Sequence, residues 1–203
     1  MISGNLFIIT AASGAGKTSL VKALLAKEMR VRLSISHTTR KPRPSEQDGV
    51  DYHFVNEEAF LAIFEAGGFL ESATVHSARY GTSERSVKAA LAAGDDVILE
   101  IDWQGAAQVK QLFPEAVSIF ILPPSIETLA QRLKNRAQDS EAVIAERLAA
   151  AREEMRHLVA FDYVTINDRF DLALQDLIAI IQAQRLKTEI QLKRHSALIQ
   201  TLI

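Results

Sequence analysis

Near the N-terminus, Ala11-Ala12-Ser13-Gly14-Ala15-Gly16-Lys17-Thr18 combines the residue types needed to hold a polyphosphate. Glycines let backbone N–H groups curl around an anion with no Cβ in the way. A helix beginning at Thr18 would aim its positive end at the same anion. Lys17 would bridge the β- and γ-phosphates of a nucleoside triphosphate, and the Thr18 hydroxyl would ligate Mg²⁺. The phosphate-loop pattern asks for glycine at the first of these eight positions, where this chain has Ala11. The string from Ser13 to Thr18 therefore carries the assignment.

Two further groups bear chemistry. Glu100 and Asp102 close an apolar run, and residues two apart share one face of a strand. At the C-terminal end of a parallel strand such acids can hold Mg²⁺, directly or through its waters, or accept hydrogen bonds from a second substrate. Ser36-His37-Thr38-Thr39-Arg40-Lys41-Pro42-Arg43-Pro44 is dense in donors. Arg40 and Arg43 flank a proline that stiffens the turn, and two fixed guanidiniums make a bidentate phosphate site. Tyr52 and Tyr80 offer further hydroxyls. Each group also has a bland reading, as strand-end acids in solvent and as a solvated basic loop. Beside a triphosphate site, a second-substrate grip is the better account. His37 reads as structural, because a phosphate oxygen is already ionised and needs no general base.

These residues require elements that bring them together. The stretch 6–10 reads as a buried strand before the glycine-rich turn, and the apolar spacing from Thr18 reads as a helix. Further strands are expected at 32–36, 97–102, 118–122 and 163–166, with helices at 84–93, 105–112 and 126–134 and a long closing helix from Leu172 onward. Apolar strands alternating with helices predict an α/β fold, a phosphate-loop parallel sheet with helices on both faces. Two segments break the rhythm. The region 36–82 holds an alternating strand at 52–55, a helix at 57–66 capped by Asn56 and an extended stretch at 69–75, and it reads as a small inserted α+β subdomain. The region 135–158 is polar, then helical, with few large apolar residues, and it reads as a helical lid. The core would then be 1–35, 83–134 and 159–203.

The chain has 203 residues, 48% hydrophobic and 24% charged, an ordinary globular composition. Its formal net charge of −2 gives no global grip on nucleic acid or on a membrane surface. There is no cysteine, which excludes disulfides and thiol chemistry and fits a reducing compartment. No stretch approaches the ~20 apolar residues of a membrane span, and no signal segment opens the chain. A cytoplasmic setting is expected. A homo-oligomer stays open, since 172–203, basic at Arg185, Lys187, Lys193 and Arg194, suits either a surface or an interface.

Several separated strings agree in order and spacing with one family. Ser36-His37-Thr38-Thr39-Arg40-x-Pro42-Arg43, Gly49-x-x-Tyr52-x-Phe54, Tyr80-Gly81-Thr82, Ile101-Asp102-Trp103-Gln104-Gly105 and Ile121-x-Pro123-Pro124-Ser125 closely resemble bacterial guanylate kinase. The likeness runs from the phosphate loop to Ile166-Asn167-Asp168. It implies transfer of the γ-phosphoryl of ATP to GMP, giving ADP and GDP, with Mg²⁺. It implies that residues 11–18 (Ala11, Ala12, Ser13, Gly14, Ala15, Gly16, Lys17, Thr18) and Asn167 bind ATP, with Thr18 and Glu100 toward the metal. Arg40, Arg43, Tyr52 and Tyr80 would grip the GMP phosphate, and Ser36, Glu71, Thr82 and Asp102 would surround guanine. Arg136 and Arg147 match the lid arginines that close on the transferring phosphoryl, acting with Lys17 in catalysis. The chain departs from the family at Glu100, where Asp is common, and at Arg136-Ala137, where the lid commonly reads Arg-Gly.

The guanine assignment has its own physics. A carboxylate such as Glu71 accepts from guanine N1–H and N2–H₂, while a hydroxyl such as Ser36 donates to O6. Adenine would present mismatched groups to both, and mispaired buried polar groups discriminate strongly. Two rivals remain: another small-molecule kinase on the same fold, and a non-catalytic guanylate-kinase-like interaction module. The Ser36–Arg43 string and Glu71 speak against the first, and retention of Lys17, Thr18, Arg136 and Arg147 against the second.

Overall fold

The strand Leu6–Ala11 (β1) is buried along nearly its whole length, and its alternating side chains set the layers of the molecule. Phe7 and Ile9 pack with Leu20, Val21 and Leu24 of helix Lys17–Lys27 (α1) and with Leu174, Leu177 and Ile181 of a later helix, Phe170–Arg185. Leu6 and Ile8 point the other way, into a cluster with Val87, Leu91, Ala106 and Val109. A strand buried on both faces favours an apolar residue at every position, and the one exception inside this one, Thr10, donates its hydroxyl to the Ile101 carbonyl at 3.0 Å. The computed structural model behind this description covers residues 4–75, 77–136 and 141–203, with backbone alone for 135, 136 and 141–143.

After α1 the chain forms β2 (Val31–Leu33), then β3 (His37–Thr38), β4 (His53–Phe54), α2 (Glu57–Glu65), β5 (Phe69–Val75), β6 (Ala78–Ser83) and α3 (Glu84–Ala92). Next come β7 (Asp96–Glu100), α4 (Trp103–Leu112), β8 (Val117–Leu122), α5 (Ile126–Arg136), α6 (Glu141–Arg156), β9 (Tyr163–Ile166), α7 (Phe170–Arg185), α8 (Thr188–Arg194) and α9 (Ser196–Leu202). The central sheet has the order β2-β7-β1-β8-β9, with every pair parallel. The C-terminal ends of β1 and β7 lie side by side, so the loop after β1 and the acids ending β7 open on one crevice. A second sheet, β4-β3-β6-β5, mixes one parallel pair with two antiparallel ones.

Four expectations shift. The strand expected at 32–36 is two short strands in different sheets: β2 ends at Leu33, Ser34 N–H still bonds Ile98 C=O at 2.9 Å, and the chain then crosses to β3. The strand expected to reach Asp102 ends at Glu100, and Asp102 instead caps α4, its carboxylate accepting from Gly105 N–H at 2.9 Å. Helix α4 accordingly begins two residues earlier than the periodicity predicts. The single closing helix is three, α7, α8 and α9, because α7 stops at Arg185. The guanidinium of Arg185 is drawn into ion pairs with Asp96 and Glu28, both at 2.7 Å.

Candidate active site

The loop after β1 turns through two residues in left-handed backbone, Gly14 at φ 90° and Gly16 at φ 101°, which is why glycine stands at both. A Cβ on Gly16 would also overlap the Asn167 amide packed behind it. Ala11, by contrast, still sits in β1, paired with Ile121, and its φ is not positive. The missing glycine therefore imposes no backbone strain. The loop runs directly into α1, whose first turn carries no acidic side chain, so its N-terminal N–H groups face the cleft with their positive partial charge intact. Thr18 Oγ1 donates to Glu100 at 2.5 Å, bringing two hard oxygen ligands together at the end of β7. Lys17 Nζ rests on the Ile101 carbonyl at 3.4 Å.

A cleft of about 220 Å³ joins this loop to the second sheet. Its walls include the loop, Glu100 and Asp102 on one side and Ser36, Tyr52, Glu71 and Tyr80 on the other. Glu71 is the most buried acid there, 3% exposed. It gets there by a register break in the β5–β6 hairpin between Phe69 and Glu71, after which Glu71 stands directly across from Thr82. Such a break re-aims a side chain without ending the sheet. Thr82 Oγ1 donates to Glu71 Oε1 at 2.6 Å, with Ser36 Oγ 3.4 Å behind Thr82. A Cβ at Gly105 would overlap the Glu71 carboxylate, so the glycine after Asp102 is the space the acid occupies. The hairpin is tied to the core by Gln108 of α4, whose amide bonds both N–H and C=O of Ser72. Burial raises the Glu71 pKa to about 7; the Thr82 hydroxyl works against this and Asp102 adds to it. Burial, with Glu100 nearby, also pushes Tyr52 up to about 12.

Arg40 and Arg43 converge on one acid that the sequence did not single out, Glu46. Arg40 Nη2 lies 2.8 Å from it and Arg43 Nη1 3.5 Å, and the Arg43 N–H also donates to it at 2.8 Å. Burial opposes the charge on Glu46, but these bonds hold its carboxyl below the usual value. The Glu46 bond likewise raises Arg40, which also sits over the Tyr52 ring and bonds Tyr80. Arg40 is thus fixed from three sides, whereas the Arg43 side chain is 70% exposed. The spacing of Arg43, Glu46 and their shared turn was the available signal. The His37 ring packs on His53 at 4.7 Å and Phe69 at 5.5 Å.

Asn167 lies behind the loop rather than in the main cleft. Its amide donates to Ala15 C=O at 2.8 Å, and Arg132 bonds both Ala15 C=O and Asn167 C=O. It opens on a second cleft beside Gly14, Gly16, Arg132 and Asp168. Arg147 stands half-buried on α6. Arg136 ends α5, and its side chain lies outside the described residues. The helix α6 is less loosely held than its composition suggests. Ala151 is fully buried against Ala12, Leu129 and Leu133, with Leu148 and Met155 beside it. The contact uses small residues, which a search for large apolar side chains overlooks. Among the described residues no cluster of three or more His, Asp or Glu could cage a metal alone, and no helix is long and apolar enough to cross a membrane.

The family pattern described as guanylate kinase matches residues 3–184. The chain belongs to the guanylate kinase family. Curated guanylate kinases from Methylobacillus flagellatus and Coxiella burnetii are 65% and 55% identical, over 100% of this chain and 100% and 98% of theirs. A crystal structure of the guanylate kinase from Anaplasma phagocytophilum superposes with a TM-score of 0.78 at 30% identity, covering 96% of each chain. The guanylate kinase match thus spans the phosphate loop, both sheets and α6, and stops within α7 before the two terminal helices.

Proposed function

We propose that this chain transfers the γ-phosphoryl group of ATP to GMP, giving ADP and GDP. The observation that carries the reading is a cleft with the glycine-rich loop on one side and the buried carboxylate of Glu71 on the other. The triphosphate lies along the loop N–H groups and the α1 N-terminus, with Lys17 leaving the Ile101 carbonyl to sit between its β- and γ-phosphates. Guanine enters over Glu71, which accepts from N1–H and N2–H₂ once ionised, with Ser36, Thr82 and Asp102 around the base. The monophosphate meets Tyr52, Tyr80 and Arg40, with Arg43 at the solvent side. This leaves a GMP phosphate oxygen facing the γ-phosphorus. Its lone pair forms the new O–P bond as the bond to the ADP β-phosphate oxygen breaks, and no proton has to move.

Thr18 and Glu100 fit Mg²⁺: two oxygens meeting beside the loop, with too few protein ligands for a closed cage, match an ion that keeps phosphate and water in its shell. When bound, the ion neutralises charge on the transferring phosphates. Glu100 in place of the commoner Asp reaches Thr18 directly, so the longer acid still arrives at that position. Arg147, and Arg136 with it, come from the lid to the phosphoryl oxygens. Asn167 holds the back of the loop near the adenosine side. In this division 36–82 is the GMP-binding insert, 135–158 the lid and the remainder the core, working in the cytoplasm on soluble nucleotides. An assay of ADP release with GMP, AMP, UMP and dGMP tests the reading. GMP should be used fastest with ATP and Mg²⁺, and faster turnover of AMP or UMP would overturn it.

A further inference from the structure

The phosphate loop already has an anion at its mouth. Ser13 N–H donates to Glu154 Oε2 at 3.1 Å, a contact between residues 141 apart in the chain, and Glu154 lines the same cleft as Lys17 and Thr18. Packing on both sides delivers this carboxylate. One turn earlier on α6, Ala151 is buried against Ala12 of the loop. One turn later, the His157 ring stacks on Trp103 with centroids 3.6 Å apart and planes 6° from parallel, fixing the end of α6 to the start of α4. Arg147 stands seven residues before Glu154, nearly two turns, so both project from one face of α6. That face carries an anion at the loop and a cation roughly 10 Å away along the helix axis.

A carboxylate and a phosphoryl group are both oxyanions and cannot accept from the same loop N–H together. A triphosphate entering the cleft also brings negative charge next to Glu154, and the two repel. We infer that Glu154 is an internal competitor for the nucleotide: its carboxylate holds Ser13 N–H while the loop is empty and must withdraw when the triphosphate arrives. Glu154 is then a positioning residue that sets nucleotide affinity and couples loop filling to movement of α6. Its withdrawal brings the Arg147 end of the helix into play. This inference rests on the reading that the loop binds ATP.

The test is calorimetric titration of the full chain, without GMP, with Mg²⁺ plus a non-hydrolysable ATP analogue and, separately, with inorganic tripolyphosphate. Wild type is compared with Glu154→Gln and Glu154→Ala. Both variants should bind both probes about three- to tenfold tighter, the inverse of the fraction of loops the carboxylate leaves free, for a loop occupied about two-thirds to nine-tenths of the time. Amide exchange at Ser13 in the free protein should quicken in Glu154→Ala. A purely structural Glu154 would leave affinity unchanged or weaken it, and either result in a folded variant overturns the inference. If wild type binds neither probe and does not phosphorylate GMP, the ATP reading itself falls. If wild type does both and the variants do not tighten, only the competitor falls.

Discussion

The two walls of the cleft are built by opposite strategies. The phosphate-loop wall is made of backbone: N–H groups of consecutive residues, shaped by Gly14 and Gly16 and carried between β1 and α1. The facing wall is made of side chains gathered from β5, β6 and the segments before β3 and β4. On the first wall the loop offers backbone donors and Lys17, with the acids Glu100 and Asp102 beside it. The other centres on a buried acid whose charge is itself in play. Grip on the common substrate can thus be local and robust, whereas selection of one base depends on packing that is non-local and easily upset. Substitutions should separate the walls: changes on the loop and lid side should strike turnover, and changes around Glu71 should strike GMP affinity.

The largest effect belongs to the lid. In phosphoryl transfer charge lies on three equatorial oxygens, and an arginine arriving on closure stabilises it more in the transition state than in the ground state. Arg147→Ala should lower kcat by roughly 10²–10⁴, with the KM for GMP moving only a few-fold because Arg40 stays fixed by Glu46 and Tyr80. A large rise in KM with kcat intact would make Arg147 a ground-state binding residue and blur the contrast between walls. Lys17→Ala should follow, with kcat down by about 10²–10³, the scale of one lost electrostatic stabiliser. Steady-state kinetics on a variant with unchanged circular dichroism checks it, and near-normal kcat would mean that the loop is not the cradle.

That contrast also governs what could be read from sequence. The strand, loop and helix around Lys17 were legible because the physics there is local: apolar run, glycines, then helical spacing. The alternation of β1, β7 and β8 with their helices was legible for the same reason. Asp102 misled because strand periodicity continues through a residue that folds as a helix cap. Glu46 escaped notice because an acid among basic residues reads as solvated until the fold turns it toward Arg40. The roles of Gly105 and Gln108 toward Glu71 and Ser72 depend on α4 packing against β5, which no local pattern announces. The docking of α6 through Ala151 was hidden for the opposite reason, since alanine gives almost no apolar signal.

On the guanine wall, Glu71→Gln should weaken GMP binding by ~1–3 kcal/mol, roughly 5- to 150-fold, since the amide offers one acceptor and a mismatched donor. Gly105→Ala should act in the same direction without touching any polar group, because its methyl needs the space of the Glu71 carboxylate. Both should leave the affinity for ATP near wild type. Equal losses for both nucleotides would show the walls to be one unit, and an unchanged KM for GMP in Glu71→Gln would remove the acid from base recognition.

The smallest effect is a pH dependence carried by one wall alone. Glu71 has a pKa of about 7 in the folded chain against 4.5 for an ordinary glutamate. Guanine donates to its ionised form, so GMP should bind best above pH 7 and release a proton on binding below it. With that pKa, the ionised fraction falls about tenfold between pH 8 and pH 6, and GMP affinity should fall with it. Glu71→Gln should be flatter over the same range, and subtracting its profile removes the titration of the GMP phosphate itself. The same shift has a consequence for stability, with a definite sign. A carboxyl whose folded pKa is raised favours the folded state when protonated, so its contribution is fully present below pH 4.5 and is lost as pH rises through about 7. Wild type should therefore lose stability from pH 5 to pH 8 relative to Glu71→Gln, by up to about 3 kcal/mol. Urea unfolding at the two pH values measures it. A difference between the two proteins that does not change with pH would mean that Glu71 is ionised throughout, and that the guanine wall, like the loop, is charged before any nucleotide arrives.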